Sequence, residues 1–305
     1  MTFAKFVFLL IDKLFDGQQN PRKMTKQLHE GLTIQKDIVF DERYPKYKLD
    51  TYVRPRTDGK PYPVIMEIHG GGFSAGDKKY RRCLSGWFAQ NTGAFVVNVN
   101  YGLGSKSVAP EPTRHLVAAF NWIIANAEKY HLDTDKIVIT GDSAGAYYAA
   151  MLSAVQDNEK LQEIYGKMNG RIAAGVYNCG IYDVQIALKQ KILFNLTEGV
   201  CKDFTGGKLK DLDHYELMPY VAPIDYVTDK WPKSYIVYAA QDFFCGGQGE
   251  HIVETLQNLG VYVESYGSTE YSDNHTFSLT WKSQAAQEAN AGILSFINRF
   301  FNGEI

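Results

Sequence analysis

Apolar and polar positions alternate along the chain with two different periods. "TIQKDIVF" (33–40) and "KYKLDTYVRP" (46–55) read as two half-exposed strands joined by a turn at 41–45. Six further short, β-rich runs follow: "YPVIMEIHG", "AFVVNVNYG", "KIVITGD", "RIAAGVYNCGI", "SYIVYAA" and "VYVESYG". Between several of them the period lengthens to that of a helix, in "TRHLVAAFNWIIANAEKYH", "AGAYYAAMLSAVQ" and "GEHIVETLQNLG". Strands separated by helices of this length pair in parallel by right-handed crossovers. The pattern therefore predicts an α/β fold whose mainly parallel sheet carries helices on both faces. No Pro/Gly/Ser-rich linker, repeat or low-complexity tract interrupts it, so one domain over 1–305 is expected. The segment 185–220, from "QIALKQ" to "ELMPY", is too long for a plain connection. Together with the helical N-terminal segment 1–32 it is expected to form a small cap.

In that N-terminal segment, "MTFAKFVFLLIDKLFDG", residues Phe3, Phe6, Val7, Leu10, Ile11, Leu14 and Phe15 recur at i, i+3 and i+4, with Lys5, Asp12 and Lys13 between them. The spacing predicts an amphipathic helix packed on the body. The stretch is too short to span a bilayer and lacks the small-residue cleavage site of a signal peptide. Composition adds that 305 residues, 45% of them hydrophobic, suffice for one large core or two small ones. The net charge is −2 and no Lys/Arg run exceeds a pair, so the basic footprint of a nucleic-acid binder is absent. Four scattered cysteines, Cys83, Cys179, Cys201 and Cys245, lack C-x-x-C spacing; the chain is expected in a reducing, cytoplasmic compartment. Glu67 interrupts the otherwise apolar run "VIMEI", so in a sheet covered on both faces it needs a partner or a path to water.

Two motifs carry chemistry, and each sits where a strand ends. "KIVITGDSAGAYYAAM" is a strand, then Gly141-Asp142-Ser143-Ala144-Gly145, then a small-residue helix, the setting of a G-x-S-x-G nucleophile elbow. A serine on so tight a turn needs neighbours without bulk, and the helix behind it aims free N–H groups at the reacting atom. "YPVIMEIHGGGF" ends in His69-Gly70-Gly71-Gly72-Phe73; with 7 His and 27 Gly in the chain, His-Gly-Gly-Gly is expected by chance only about 0.005 times. Glycines let the backbone itself approach a developing oxyanion, and one such donor is worth on the order of 10² to 10³ in rate. Gly71 and Gly72 N–H, with Ala144 N–H after the serine, are the expected oxyanion donors. His69 is expected to brace the glycine loop rather than exchange protons, and Asp142, pointing away from an elbow, reads as a loop-bracing carboxylate.

Through "HGGGF" at 69–73 and "GDSAG" at 141–145 the chain resembles the α/β-hydrolase superfamily, specifically its hormone-sensitive-lipase-like branch of esterases. The resemblance extends from about residue 35 onward and implies a sheet of about eight strands, helices on both faces and a small helical cap. Relatives commonly carry Gly-Gly after Ser-Ala, where this chain has Gly145-Ala146. The superfamily order Ser, acid, His points to Asp242, at the end of "SYIVYAAQDFF", and to His275 in the loop "YSDNHTFSL". His251, inside a helical pattern, and His214, in the cap segment, are the competing histidines; Asp225 in "APIDYV" is the competing acid. Phe73, Tyr101, Phe243 and Phe244 lie beside the motifs and are candidate pocket walls.

The chemistry implied is hydrolysis of small, short-chain acyl esters, acetyl esters of sugars or xenobiotics among them. It proceeds through an acyl-enzyme on Ser143, with no metal and no cofactor. The expected partner is a small-molecule ester, with no nucleic acid and no membrane span; oligomeric state is open. An arylformamidase or small peptidase would use the same residues. A non-catalytic binder of the same fold, such as the gibberellin receptors that resemble this branch, lacks the histidine that this chain supplies.

Overall fold

A computed structural model describes residues 1–189 and 196–305. Residues 190–195, within the expected cap insertion, lie outside the described residues. Eight strands form one sheet: β1 (Thr33–Val39), β2 (Lys48–Val53), β3 (Tyr62–Ile68), β4 (Phe95–Val99), β5 (Leu132–Asp142), β6 (Ala174–Asn178), β7 (Lys233–Ala239) and β8 (Val263–Ser268). Their order is β1-β2-β4-β3-β5-β6-β7-β8. The pairs β1/β2 and β2/β4 are antiparallel and the rest are parallel. The helices are α1 (Phe3–Gln19), α2 (Arg22–His29), α3 (Arg82–Thr92), α4 (Glu111–Ala125), α5 (Ala127–Tyr130), α6 (Ala144–Val155), α7 (Glu159–Tyr165), α8 (Val184–Lys189), α9 (Leu196–Thr205), α10 (Gln248–Asn258) and α11 (Gln284–Asn302).

Two cores sandwich the sheet, because successive residues of each strand point to opposite faces. Leu49, Val64, Met66, Ile137 and Ile139 face α4 and α6, whereas Tyr52, Ile65, Val96 and Val138 face α3 and α11. The C-terminal helix α11, which the sequence reading did not single out, buries Ile293, Phe296, Ile297 and Phe300 in the second core. All the parallel strands run the same way, so the loops after β3, β5, β7 and β8 emerge at one edge, where α/β sheets hold their ligands.

Two expectations need correction. β2 is not half-exposed: Leu49, Asp50, Thr51 and Tyr52 are all buried, because β2 lies between β1 and β4 with apolar residues covering both faces. Of the two, only β1 is exposed, at one edge of the sheet. Only part of the N-terminal stripe packs: Val7 and Ile11 lie partly buried against the Ala4, Phe8, Ala75 and Leu196 cluster. Ala4 and Phe8 are the buried residues of α1, while Phe3, Phe6, Leu10 and Leu14 are 45–64% exposed. Small residues decide the docking: Ala4 sits where Gly199 of α9 leaves room, and a Cβ on Gly199 would lie 2.8 Å from that of Ala4. Thr2 caps α1 by accepting from Lys5 N–H at 3.1 Å, and its hydroxyl donates to Asp203 of α9 at 2.5 Å.

Glu67 does find a partner. Ser85 of α3 donates to its Oε2 at 2.5 Å, but Oε1 has none, and neither has Oδ1 of Asn98, its register neighbour on β4. Burial raises the Glu67 carboxyl to about 8, so it is held largely neutral at pH 7.

Candidate active site

The end of β5 builds the elbow. Ser143 has φ 54° and ψ −122°, a backbone state that costs of the order of 1–3 kcal/mol and persists only where its surroundings impose it. Those surroundings are close-packed backbone. A Cβ on Gly141 would lie 2.4 Å from the Gly145 carbonyl, and one on Gly145 would lie 2.1 Å from the Ile68 carbonyl oxygen. Ser143 N–H donates to the Asn178 carbonyl at 2.8 Å, tying the turn to β6. Ala144 then opens α6, so its N–H is one of the first-turn amides that a helix leaves without an internal acceptor.

Ser143, His275 and Asp242 come together in one line. His275 Nε2 lies 2.8 Å from Ser143 Oγ, and Nδ1 lies 2.8 Å from Asp242 Oδ2. The other carboxylate oxygen, Oδ1, accepts the Phe244 and Cys245 amides, both at 2.8 Å. Burial opposes ionisation of Asp242, yet the imidazole and these amides together hold its carboxyl below the ordinary value. It is therefore a carboxylate at neutral pH, placed to fix the tautomer in which Nδ1 carries the proton and Nε2 faces the serine.

The glycine loop after β3 lies against the elbow. Gly71 and Gly72 have φ 132° and 58°, and a Cβ on Gly72 would fall 2.1 Å from the ring of Phe8 on α1. His69 is buried and neutral: burial lowers its ring to about 4, Nδ1 lies 2.8 Å from the Gly70 carbonyl oxygen, and the ring stacks on Tyr101 at 4.5 Å. Tyr101 lies behind the loop, where its hydroxyl donates to the His69 carbonyl at 2.6 Å, and it is 2% exposed. Of the candidate wall residues, Phe244 packs edge-on to His275 at 5.0 Å, Phe243 lies tilted against Phe244 at 4.3 Å, and Phe73 is buried against Phe204.

Phe244 separates two spaces. An apolar cavity of about 50 Å³ lies among Phe73, Ile181, Val184, Val200, Phe204 and Phe244. A larger cleft of about 480 Å³, which includes His275, runs between Ile11 and Phe15 of α1 and the loop 272–283. His251 lies on α10 and Asp225 in the turn Pro223–Tyr226; neither joins the serine–histidine line.

Several supporting residues escaped the sequence reading. Arg81 grips Asp142 with two bonds, Nε at 2.6 Å and Nη2 at 2.5 Å, and Asp142 Oδ1 also accepts the Gly70 amide at 3.3 Å. One buried ion pair thus joins the glycine loop to the elbow. Asn274 accepts from His275 N–H at 2.8 Å and donates to the Gln241 carbonyl at 2.7 Å, linking the loops that carry histidine and acid. Cys179 has a ligand-type atom within 4.8 Å of those of Asp242 and His275. Burial pushes its thiol well above the ordinary value, so it remains protonated and unreactive. Adjacency to the motifs was the available signal for Asn274; for Arg81 and Cys179 there was none, since both meet partners more than sixty residues away in the chain.

Comparison with known proteins agrees with this architecture. The BD-FAE family model matches residues 49–249. The probable carboxylic ester hydrolase LipM of Mycobacterium tuberculosis is 24% identical over 86% of this chain and 59% of its own length. An acetyl esterase of Salmonella schwarzengrund is 27% identical over 50% of this chain and 43% of its own. The chain thus spans about three fifths or less of these curated relatives. Among solved structures, esterase LipW of Mycobacterium marinum superimposes with a TM-score of 0.78 at 18% identity, covering 96% of this chain and 90% of that one, a likeness of fold. Family match, sheet order and the strand-end placement of both motifs agree: the chain belongs to the BD-FAE family, within the α/β-hydrolase superfamily.

Proposed function

We propose that the chain is a serine carboxylic ester hydrolase acting on small esters with short acyl groups. The observation that carries this reading is the unbroken line from Asp242 through His275 to Ser143, at 2.8 Å for each step. In the proposed reaction, His275 removes the Ser143 proton as Oγ attacks the ester carbonyl. The Gly71, Gly72 and Ala144 amides hold the resulting oxyanion, and His275 returns the proton to the departing alkoxide. Water then attacks the acyl-enzyme with His275 again as base, releasing acid and free serine. Asp242 holds the imidazole and stabilises its cation without taking a proton.

The narrow apolar cavity beside Phe73 and Phe204 supports a short acyl group, and the larger cleft beside His275 supports a bulkier alcohol portion. Similarity to an acetyl esterase points the same way. The cap belongs to this proposal too: α1 borders the larger cleft, and the described parts of 185–220 border the small apolar cavity.

The test is hydrolysis of p-nitrophenyl esters from acetate to dodecanoate. Short esters should turn over, and Ser143→Ala and His275→Ala should each reduce kcat by about 10⁴-fold or more while the fold melts as before. A folded wild type inert toward every ester, or a Ser143→Ala variant that keeps its rate, overturns the reading.

A further inference from the structure

Among the described residues, six of the exposed large hydrophobic side chains lie on α1: Phe3, Phe6, Leu9, Leu10, Leu14 and Phe15. Phe3, Phe6, Leu10 and Leu14 follow steps of three and four, so they form one ridge about 16 Å long at 1.5 Å per residue. Exposed apolar side chains scattered singly need no explanation, but a contiguous ridge does.

The charges beside the ridge say what covers it. Asp16 is engaged by Arg82 at 2.7 Å. Asp12 is partly buried, and burial raises its carboxyl to about 6 against the opposing pull of Arg81 and the Gly76 amide. Through residue 29 the remaining formal charges on side chains are Lys5 and Lys13 on α1 and Arg22, Lys23 and Lys26 on the following α2, all cationic, and none forms an ion pair among the described residues. A second copy docked across a two-fold axis would set these cations against their own counterparts. An anionic surface would match them.

We propose that α1 docks on an anionic phospholipid surface, its ridge at the headgroup–acyl boundary and its flanking cations among the headgroups. An amphipathic helix with aromatic and leucine residues on one side and lysines beside them has the composition for lying in that plane. No helix of the described chain is long and apolar enough to cross a membrane, so the contact is peripheral.

Another side of α1 borders the candidate active site. Ile11 and Phe15 line the cleft that holds His275, with Phe243, 59% exposed, on its rim. Phe8 continues the aromatic contact inward, 5.9 Å from Phe244, which in turn meets His275. Docking on α1 therefore brings the cleft close to the lipid surface. Delivery of membrane-dissolved esters by this route rests on the esterase reading; the docking does not.

The experiment measures binding without turnover: co-sedimentation of the full chain with phosphatidylcholine vesicles, alone or with about 30% phosphatidylserine. The wild type should sediment with the anionic vesicles and bind phosphatidylcholine alone at least about tenfold more weakly. Phe6→Glu with Leu14→Glu should weaken anionic binding about tenfold or more, with melting temperature and turnover of soluble p-nitrophenyl acetate unchanged. Lys13→Glu with Lys23→Glu should weaken it too and flatten its salt dependence. Wild type remaining in the supernatant with both vesicles overturns the proposal, as does undiminished binding by the ridge variant. A wild-type dimer that the ridge variant splits into monomers also overturns it, because a second copy would then cover α1.

Discussion

Helices α6 and α1 are both rich in apolar residues and both lie beside the candidate site, yet α6 buries all twelve of its residues and α1 buries two of seventeen. The difference lies in how each is held. α6 grows directly out of β5 and is packed on every side, so its position is dictated by the sheet. α1 is attached at points: Ala4 against Gly199, Phe8 against Gly72, Asp16 to Arg82, Gln19 to Arg81, and the Trp281 indole to the Gln19 carbonyl. One helix is framework, the other an attachment that touches the framework through its glycine loop and its arginine. Substitutions should therefore fall steeply in effect from the first region to the second.

The hardest test of the framework is Gly145→Ala. Its Cβ would meet the Ile68 and His69 carbonyl oxygens at 2.1 and 2.7 Å, and backbone cannot step aside as a side chain can. Destabilisation on the order of 4 kcal/mol or more is expected in a urea melt; a stable, active Gly145→Ala protein would mean that the elbow is looser than its packing indicates.

Arg81→Met probes the junction between the regions, since Arg81 bonds both Asp142 and Gln19. It leaves Asp142 buried without its partner, at a cost of about 3–5 kcal/mol, and should lower kcat more than it changes KM. Adding Asp142→Asn should recover part of both losses, because the amide keeps an acceptor for Gly70 N–H without a buried charge. No recovery would place the effect elsewhere than in the pair.

Glu67→Gln gives a smaller, pH-dependent effect. Burial raises this carboxyl from 4.5 to about 8, so between those values the folded chain keeps a proton that the unfolded chain has released. Stability from this group consequently falls as pH rises from about 4.5 toward 8 and is constant above that. Glu67→Gln should match the wild type near pH 4 and exceed it by about 1–3 kcal/mol at pH 8, as read by urea melts at both values. A variant that loses stability equally at both would assign Glu67 to packing alone.

The smallest effect is expected on α1. Leu14→Ser, at a residue 64% exposed, should change stability by no more than about 0.5 kcal/mol. A loss of several kcal/mol would show that the ridge is packed against protein and that the contrast between the two helices is false.

The eight strands, their mainly parallel pairing and the motif-bearing loops were legible in the sequence, because strand and helix periods are local properties and strand-to-loop glycines mark close backbone approach. That Ser143, Asp242 and His275 would meet was legible for a related reason: each lies in the stretch after a strand, and parallel strands deliver those stretches to one edge. What periodicity could not supply was the direction in which a face docks. It put Phe3, Phe6, Val7, Leu10, Ile11, Leu14 and Phe15 on one stripe of α1, but the fit of Ala4 on Gly199 and of Phe8 on Gly72 left Val7 and Ile11 packed and turned Phe3, Phe6, Leu10 and Leu14 outward. In the same way it read β2 as half-exposed, because the covering of both faces by distant segments leaves no mark on the strand itself. Arg81 gripping Asp142, Asn274 bridging two loops and Ser85 reaching Glu67 are also pairings between segments far apart or loops that only folding brings near. The sequence alone determines the local periods and the chemistry of the motifs; the tertiary structure decides partners and exposure, because burial and electrostatics depend on which remote surfaces meet.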